Sequence, residues 1–518
     1  MTDSGGSVDV LVVGGGPAGS CAAGLLARSG ISVALVEGKK FPREHIGESL
    51  LAMSMPYLRD LGVADIIEED DFVRKPGAVF RWGGRKEEMR LGMPRPGYAF
   101  QVSRDKFDDL LLNQAEKAGV RVLRETWAKR LHFDADGRVD GVVVQEGKSV
   151  RHLAARYVID ASGLFQFVPK ALGLPVADDG HTRAAVGAYF SGADRAAGPS
   201  RDDIITEAAE NSWLWFIPLS DDLTSVGMVT DADLIEHRNP QASLDGAIGE
   251  TELVRRLLSD AAVARRGRLL RYTNHVVDAP LWDRGYVLVG DSAMFVDPLF
   301  STGVHGALMS ASHAAGALVA VLAGEIADDV AARWYDDEMR RHYHRVDETV
   351  QVLYGVHPGR GEFWQRRDLS GVDRDEAAAI CRHLGAVGAK FFLNAQENEE
   401  LWLPQALADQ MTDFRVDISV AQTPESAVPR LADEVTRRDS LVFRKGLVSP
   451  GLVLEHQRNR TVRPAYEHGS FMADLVRAVD GRATVGEIVE KLGSGSSERA
   501  LCVSAIGTLH NAGLLTVA

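Results

Sequence analysis

One short stretch, Gly14-Gly15-Gly16-Pro17-Ala18-Gly19, constrains this chain more than any other. It follows a short, mostly apolar and β-branched run, Val8 to Val13, and opens a helical pattern, Ala18 to Ser29. Gly30 stops that helix, and Ile31 to Val36 make a second strand that ends at Glu37. Gly14, Gly16 and Gly19 thus stand in G-x-G-x-x-G spacing inside a β-α-β unit, the context in which this spacing binds a dinucleotide. Gly14 permits the tight turn, Gly16 lets backbone N–H groups approach a pyrophosphate, and Gly19 lets the helix pack close to the sheet. The helix start favours the phosphate charge. Glu37 is placed to accept hydrogen bonds from ribose hydroxyls. The expected cofactor contacts here are Gly14, Gly16, Ala18, Gly19 and Glu37. The motif by itself does not separate FAD from NAD.

Composition narrows the partners. Acidic residues number 73 and basic ones 58, a formal charge of −15. Such a surface repels phosphate backbones, so no nucleic-acid partner is expected. Three cysteines, Cys21, Cys381 and Cys502, are too few and too scattered for a disulfide framework or a zinc site, and no metal is expected. The N-terminus carries no basic region ahead of its apolar stretch. The longest purely apolar or glycine run, 314–324, falls short of the roughly 18 residues of a membrane span. The expectation is a cytoplasmic protein without a membrane partner.

Along the chain, Phe107 to Ala118 reads as a helix and Val120 to Leu123, Val142 to Gln145 and Tyr157 to Ile159 as strands. Further strands are expected at Ala184 to Phe190, Trp213 to Ile217, Thr224 to Val229 and Tyr286 to Val289. Val304 to Gly324 is a long Ala-rich helix, and 326–400 reads as mostly helical. Thr412 to Arg430 is a looser connection. Helical patterns over 470–518 resemble a small winged-helix or carrier-recognition module. Residues 481–518 carry no net charge, which favours a structural or docking role over DNA reading. The expected division is a cofactor domain over 1–380 with a substrate-side sheet near 183–270, a helical region and linker over 381–430, and a small module over 431–518.

The chemistry comes from four further motifs. Gly290-Asp291-Ser292-Ala293 ends a strand, and this pattern resembles FAD-dependent aromatic hydroxylases, in which such an aspartate binds a ribityl hydroxyl. Arg104 stands where those proteins place a flavin-contacting arginine. Trp213-Leu214-Trp215-Phe216-Ile217-Pro218 puts Trp213, Trp215 and Ile217 on one face of a strand that Pro218 ends, and two indoles side by side make a bulky wall. Phe295-x-Asp297-Pro298-x-x-Ser301-x-Gly303-Val304-His305 leads into the long helix.

Together these residues resemble the flavin-dependent halogenases, over roughly residues 8–370. Trp213 to Pro218 matches the family's W-x-W-x-I-P signature. Phe72-Val73-Arg74-Lys75-Pro76 is similar to the segment that supplies its active-site lysine, so Lys75 is the expected catalytic residue. Phe41-Pro42-Arg43 with Gly47-Glu48-Ser49 is similar to the family's flavin loop, adding Glu48 and Ser49 to the cofactor contacts. The resemblance implies an α/β fold: a Rossmann-type FAD-binding domain with an inserted β-sheet substrate domain, and a mainly helical C-terminal region. It implies FAD supplied reduced by a separate flavin reductase, together with O₂ and chloride or bromide. The halide, oxidised at the flavin to hypohalous acid, would sit at the N–H groups of Thr302 and Gly303, and Lys75 would form a haloamine or hydrogen-bond the oxidant. The substrate would be an electron-rich phenol or pyrrole, small or tethered to a carrier protein, in natural-product biosynthesis. Phe300 stands where tryptophan halogenases carry a catalytic glutamate, which disfavours an unactivated indole. His305 is either a base near the flavin or a hydrogen-bonded helix residue, and the 361–364 segment is a candidate pocket wall. The alternatives are a flavin aromatic hydroxylase, a prenyl-chain reductase of the same superfamily, and a flavin-binding interaction or regulatory protein.

Overall fold

The computed structural model describes residues 7–367, apart from 71, 83–87, 94–96, 237, 267, 356 and 358–360, and residues 424–517, apart from 445, 458–464, 493–501, 504, 508 and 511–513. The chain divides into two compact units, Met1–Ala389 and Lys390–Ala518. The expected helices and linker within 368–423 lie outside the described residues.

The first unit is built on the β-α-β fingerprint. Strand β1 (Val8–Val13) leads through α1 (Pro17–Arg28) to β2 (Val33–Glu37). The two strands pair in parallel, and the other side of β1 pairs with the end of Ser149–Asp160, which in turn pairs with Tyr286–Leu288. A parallel sheet must be covered on both faces, so its strands are apolar throughout; Val10, Leu11 and Val12 are fully buried.

A second sheet, with eight strands like the first, carries the tryptophan motif. Val73–Lys75 (β3) pairs instead with Ala99–Gln101, Lys75 opposite Ala99. The second sheet runs through Arg183–Ser191 (β4), Leu223–Asp231 and Trp213–Pro218 (β5) to Ile204–Ala208 and Gly77–Arg81. Alternation along β5 decides what each face meets. Leu214 and Phe216 join a core with Leu244 and Val254 from the helices Pro240–Glu250 and Leu253–Leu257. Trp213, Trp215 and Ile217 therefore face the other way.

Two long helices complete the unit. Thr302–Leu322 (α2) is apolar and long enough to cross a membrane, yet most of it is buried inside the protein. It packs against α1 and against Asp328–Gly355 (α3). Alanines at 311, 314 and 317, all fully buried, let these helices approach closely.

The second unit differs from the sequence reading. No element was expected between 435 and 456, yet Val435–Arg444 and Leu447–His456 form an antiparallel hairpin, with Ala465–Glu467 added at its edge. Gly446, at φ +76°, supplies the turn between an arginine-bearing strand and a second strand rich in Val and Leu. Helices Phe471–Ala478 and Val485–Leu492 match the expected patterns, and Pro429–Leu431 pairs with Leu515–Val517.

Candidate active site

The cofactor turn shows why each glycine is where it is. Gly14 has φ +108°, and a Cβ there would lie 2.4 Å from the Ala161 carbonyl oxygen. A Cβ on Gly19 would lie 1.9 Å from the Gly14 oxygen, so α1 could not close on the turn. Gly16 is different: a Cβ would meet only the Arg43 guanidinium, at 3.3 Å. The backbone is thus open at Gly16, and a cation borders the opening. Arg43 is ion-paired with Asp108 at 3.6 Å, but its buried Nε has no partner among the described residues. Among the described residues no side chain caps the start of α1, whose N-cap is Gly16. Open backbone, a helix start and a cation fit a pyrophosphate. Glu37 is buried, and its carboxylate accepts from Gly15 N at 2.8 Å and Lys39 N at 2.6 Å, so it braces the turn as well as ending β2.

Asp291 lies at the end of Tyr286–Leu288, and no described donor reaches its carboxylate; burial pushes it up to about 6, against the nearby Arg104 charge. An unsatisfied carboxylate there suits a hydroxyl donor such as a ribityl chain. Arg104 itself is spent on protein. It donates to both oxygens of Asp108, at 2.8 and 3.0 Å, and to the carbonyls of Ile46 and Gly47, at 2.9 and 3.1 Å. It holds the loop that carries Glu48 and Ser49.

Glu48 is fully enclosed. Tyr189 OH donates to one carboxylate oxygen at 2.7 Å and Ser225 Oγ to the other at 2.9 Å, while burial pushes the carboxyl up to about 7. Ser225 Oγ also accepts from Trp215 Nε1 at 3.2 Å. Next along the chain, Ser49 Oγ accepts from Lys75 Nζ at 2.8 Å, and the Leu50 carbonyl accepts a second Lys75 hydrogen bond. Lys75 is 1% exposed, and burial pushes its amine down to about 7. Asp203 opposes this shift from a distance, but its carboxylate is bound by Arg90 at 2.6 Å. Arg74 points outward to Glu68, at 2.9 Å, and over the Tyr98 ring. Strand alternation thus makes Lys75 the inward cation of the pair.

The tryptophan wall rests on glycine. Gly187, Gly227 and Trp215 lie in one row across three strands. A Cβ on Gly227 would lie 2.1 Å from the Trp215 ring and one on Gly187 3.1 Å from it. Trp213, 2% exposed, donates from Nε1 to Tyr354 OH at 2.7 Å, and its ring is 6.3 Å from that of Trp215. Within the 361–364 segment, Phe363 and Trp364 are buried in packed core, whereas Glu362 is exposed. A Cβ on Gly361 would lie 1.8 Å from the Glu210 oxygen, and Trp364 donates to the Ala209 carbonyl at 2.9 Å.

The turn before α2 is tightly built. Asp297 accepts from Leu299 N at 3.2 Å, and Ser301 adopts φ 58° with no side-chain cap to the helix. Thr302 is buried, whereas Gly303 is exposed and has space where a Cβ would be. Asp291, Phe295, Thr302, Gly303, Met339 and His342 share one cavity. The Phe300 ring lies 5.7 Å from that of Phe80. His305 is buried, its Nδ1 has no hydrogen-bond partner among the described residues, and burial pushes it down to about 4.

The family model described as tryptophan halogenase matches residues 9–93 and 86–407. The chain belongs to this family. It is a flavin-dependent halogenase, an oxidoreductase-type enzyme. A tryptophan 2-halogenase of Chondromyces crocatus is 33% identical over 382 residues, 70% of this chain and 71% of that one. The structure of the myxobacterial, FAD-dependent chondrochloren halogenase superposes with a TM-score of 0.67 at 29% identity, covering 79% of this halogenase and 96% of that chain. The flavin-dependent halogenase CmlS shares the fold, with a TM-score of 0.79 at 24% identity, over 99% of this chain and 96% of that one.

Sequence reasoning missed Arg43, Tyr189, Ser225 and Tyr354 as site residues. Arg43 stands inside the Phe41-Pro42-Arg43 motif, but only the fold brings it beside Gly16. Tyr354 lies 57 residues from Asp297, and no local pattern marks it.

Proposed function

We propose that this enzyme uses reduced FAD, O₂ and chloride or bromide to halogenate an electron-rich phenol or pyrrole, with Lys75 as the catalytic residue. The observation that carries this reading is the buried Lys75 amine, which donates to Ser49 Oγ and the Leu50 carbonyl and which burial pushes down to about 7. FAD, when bound, supplies the electrophilic oxygen that converts halide to hypohalous acid. Gly14, Gly16, Ala18, Gly19 and Arg43 hold its pyrophosphate, Glu37 its ribose and Asp291 its ribityl chain. Gly47 to Ser49, held by Arg104, line the flavin. Thr302 and Gly303 N–H groups take the halide, since the uncapped start of α2 favours an anion. A neutral Lys75 has a lone pair that captures or orients the oxidant, whereas a protonated one can only donate. Trp213, Trp215, Ile217 and Pro218 separate substrate from flavin.

The substrate class follows from Phe300. An apolar ring packed on Phe80 offers no carboxylate to assist an indole, so the ring attacked must be activated already. Both a small aromatic and one tethered to a carrier protein remain within this chemistry. The proposed architecture is a Rossmann-type FAD domain with the 183–270 sheet on its substrate side and a winged-helix-like module over 431–518. The enzyme works in the cytoplasm beside a separate flavin reductase.

The test supplies reduced FAD, O₂ and bromide or chloride to the purified enzyme, with a panel of phenols and pyrroles. Halide-dependent, saturable formation of a halogenated product supports the reading. Oxygenated products formed at the same rate without halide would replace it with the hydroxylase.

A further inference from the structure

Resting on that reading, we propose that Trp213 is more than part of a steric wall: through Tyr354 and Asp297 it anchors the turn that presents the halide site. Trp213 Nε1 donates to Tyr354 OH at 2.7 Å, and Tyr354 OH donates to Asp297 Oδ1 at 2.8 Å. The same Oδ1 accepts from Leu299 N at 3.2 Å, inside the turn. Asp297 Oδ2 accepts from Tyr272 OH at 3.1 Å and is ion-paired with Arg183 Nε at 3.3 Å. Arg183 is in turn ion-paired with Asp179 at 2.8 Å. Trp213, Tyr354, Tyr272, Arg183 and Asp297 are all buried.

This carboxylate therefore gathers groups from β4, from Leu269–Tyr272, from the last turn of α3 and, one bond further, from β5. It sits four residues before Ser301, which holds a left-handed conformation costly for a non-glycine residue and has no side-chain cap. Such a conformation persists only where its surroundings over-determine it. The Asp297 bonds supply that determination, and the N–H groups of Thr302 and Gly303 follow directly. Buried networks of this kind hold geometry because any one lost partner leaves another buried polar group unsatisfied. Tyr354 and Asp297 are positioning residues in this scheme. Trp213 is read as acting through them.

The experiment compares wild type with Trp213→Phe, Tyr354→Phe and the double variant. Bromide is titrated against the oxidised, FAD-loaded enzyme, with binding followed by the visible flavin band. Bromide KM and kcat are then measured separately. Trp213→Phe keeps an aromatic ring and removes the N–H. The expected result is bromide affinity roughly tenfold weaker in each single variant, as for loss of one buried hydrogen bond. FAD affinity stays within twofold, and KM rises more than kcat falls. The double variant should be no weaker for bromide than Tyr354→Phe, because the two residues act in series. Wild-type bromide affinity retained in Trp213→Phe overturns the proposal, whatever becomes of Tyr354→Phe. Additive losses in the double variant overturn the series arrangement. A wild type that ignores halide altogether instead overturns the halogenase reading on which this rests.

Discussion

Replacing Lys75 by Met tests the central claim about this site through stability, independently of any substrate. The amine is pushed from an ordinary 10.5 down to about 7 by burial. That displacement corresponds to about 5 kcal/mol of bias against the charged form. The sign follows from proton counts. Between pH 7 and 10.5 the unfolded chain binds a proton at Lys75 and the folded protein does not, so raising the pH favours folding. The destabilisation is fully present below pH 7 and disappears as pH approaches 10.5. Met removes the titration, keeps a similar apolar stem and forfeits the bonds to Ser49 and Leu50, about 1 kcal/mol each. Lys75→Met is therefore expected to be more stable than wild type by about 2–3 kcal/mol at pH 6. The advantage should shrink by about 3 kcal/mol between pH 7 and 9, at about 1.4 kcal/mol per unit. Urea unfolding of both proteins at pH 6, 7, 8 and 9, followed by flavin fluorescence, measures the difference, and other titrating groups cancel in it. A difference that does not change with pH would mean that Lys75 stays charged in the fold and would refute the argument for a neutral amine. The same variant should release hypohalous acid, trapped by an added scavenger, while yielding no halogenated aromatic product.

Gly16→Val and Gly19→Val should part company. The first has room in the protein and should fold yet purify without FAD, whereas the second, whose Cβ meets the Gly14 oxygen at 1.9 Å, should lose stability by several kcal/mol, both read by circular dichroism and flavin stoichiometry. Arg43→Ala should weaken FAD binding roughly tenfold or more, as expected for a lost charged hydrogen bond, measured by flavin fluorescence titration; unchanged affinity would remove Arg43 from the pyrophosphate site. Gly227→Ala should displace the Trp215 ring, whose nearest atom would lie 2.1 Å from the new Cβ, and lower halogenated product per O₂ consumed; coupling equal to wild type would show that Trp215 shifts without consequence.

What could be read from the sequence was what is encoded locally. The β-α-β fingerprint, the strands near 184–190, 213–217 and 224–229, and the helix opening near residue 302 all carry their signal within a few residues, as hydrophobic period, glycine spacing or a Pro stop. The inward turn of Lys75 was decided by β3 pairing with Ala99–Gln101, which no stretch of sequence contains. Arg104 shows the same limit. Its motif places it near the flavin, while the fold adds what the motif does not name: its donors go to Asp108 and to the 46–47 carbonyls, which satisfies a buried guanidinium. The hairpin over 435–456 was missed because its polar, arginine-rich first strand lacks strict alternation.

The unread part of the site is a set of long-range polar contacts, and they share one design. Trp215 reaches Ser225 and through it Glu48, whose neighbour Ser49 holds Lys75. Trp213 reaches Tyr354 and through it Asp297, four residues before Ser301. Each indole N–H thus ends one short buried chain, one leading to the segment that holds the amine and one to the turn that presents the helix start. Phenylalanine would fill the same wall, yet it would leave Tyr354 or Ser225 short of a donor in a site where unsatisfied groups cost about 1–3 kcal/mol. A motif that looks like bulk is, atom by atom, a pair of hydrogen-bond donors that lead from β5 toward the segment holding Lys75 and to the turn before α2.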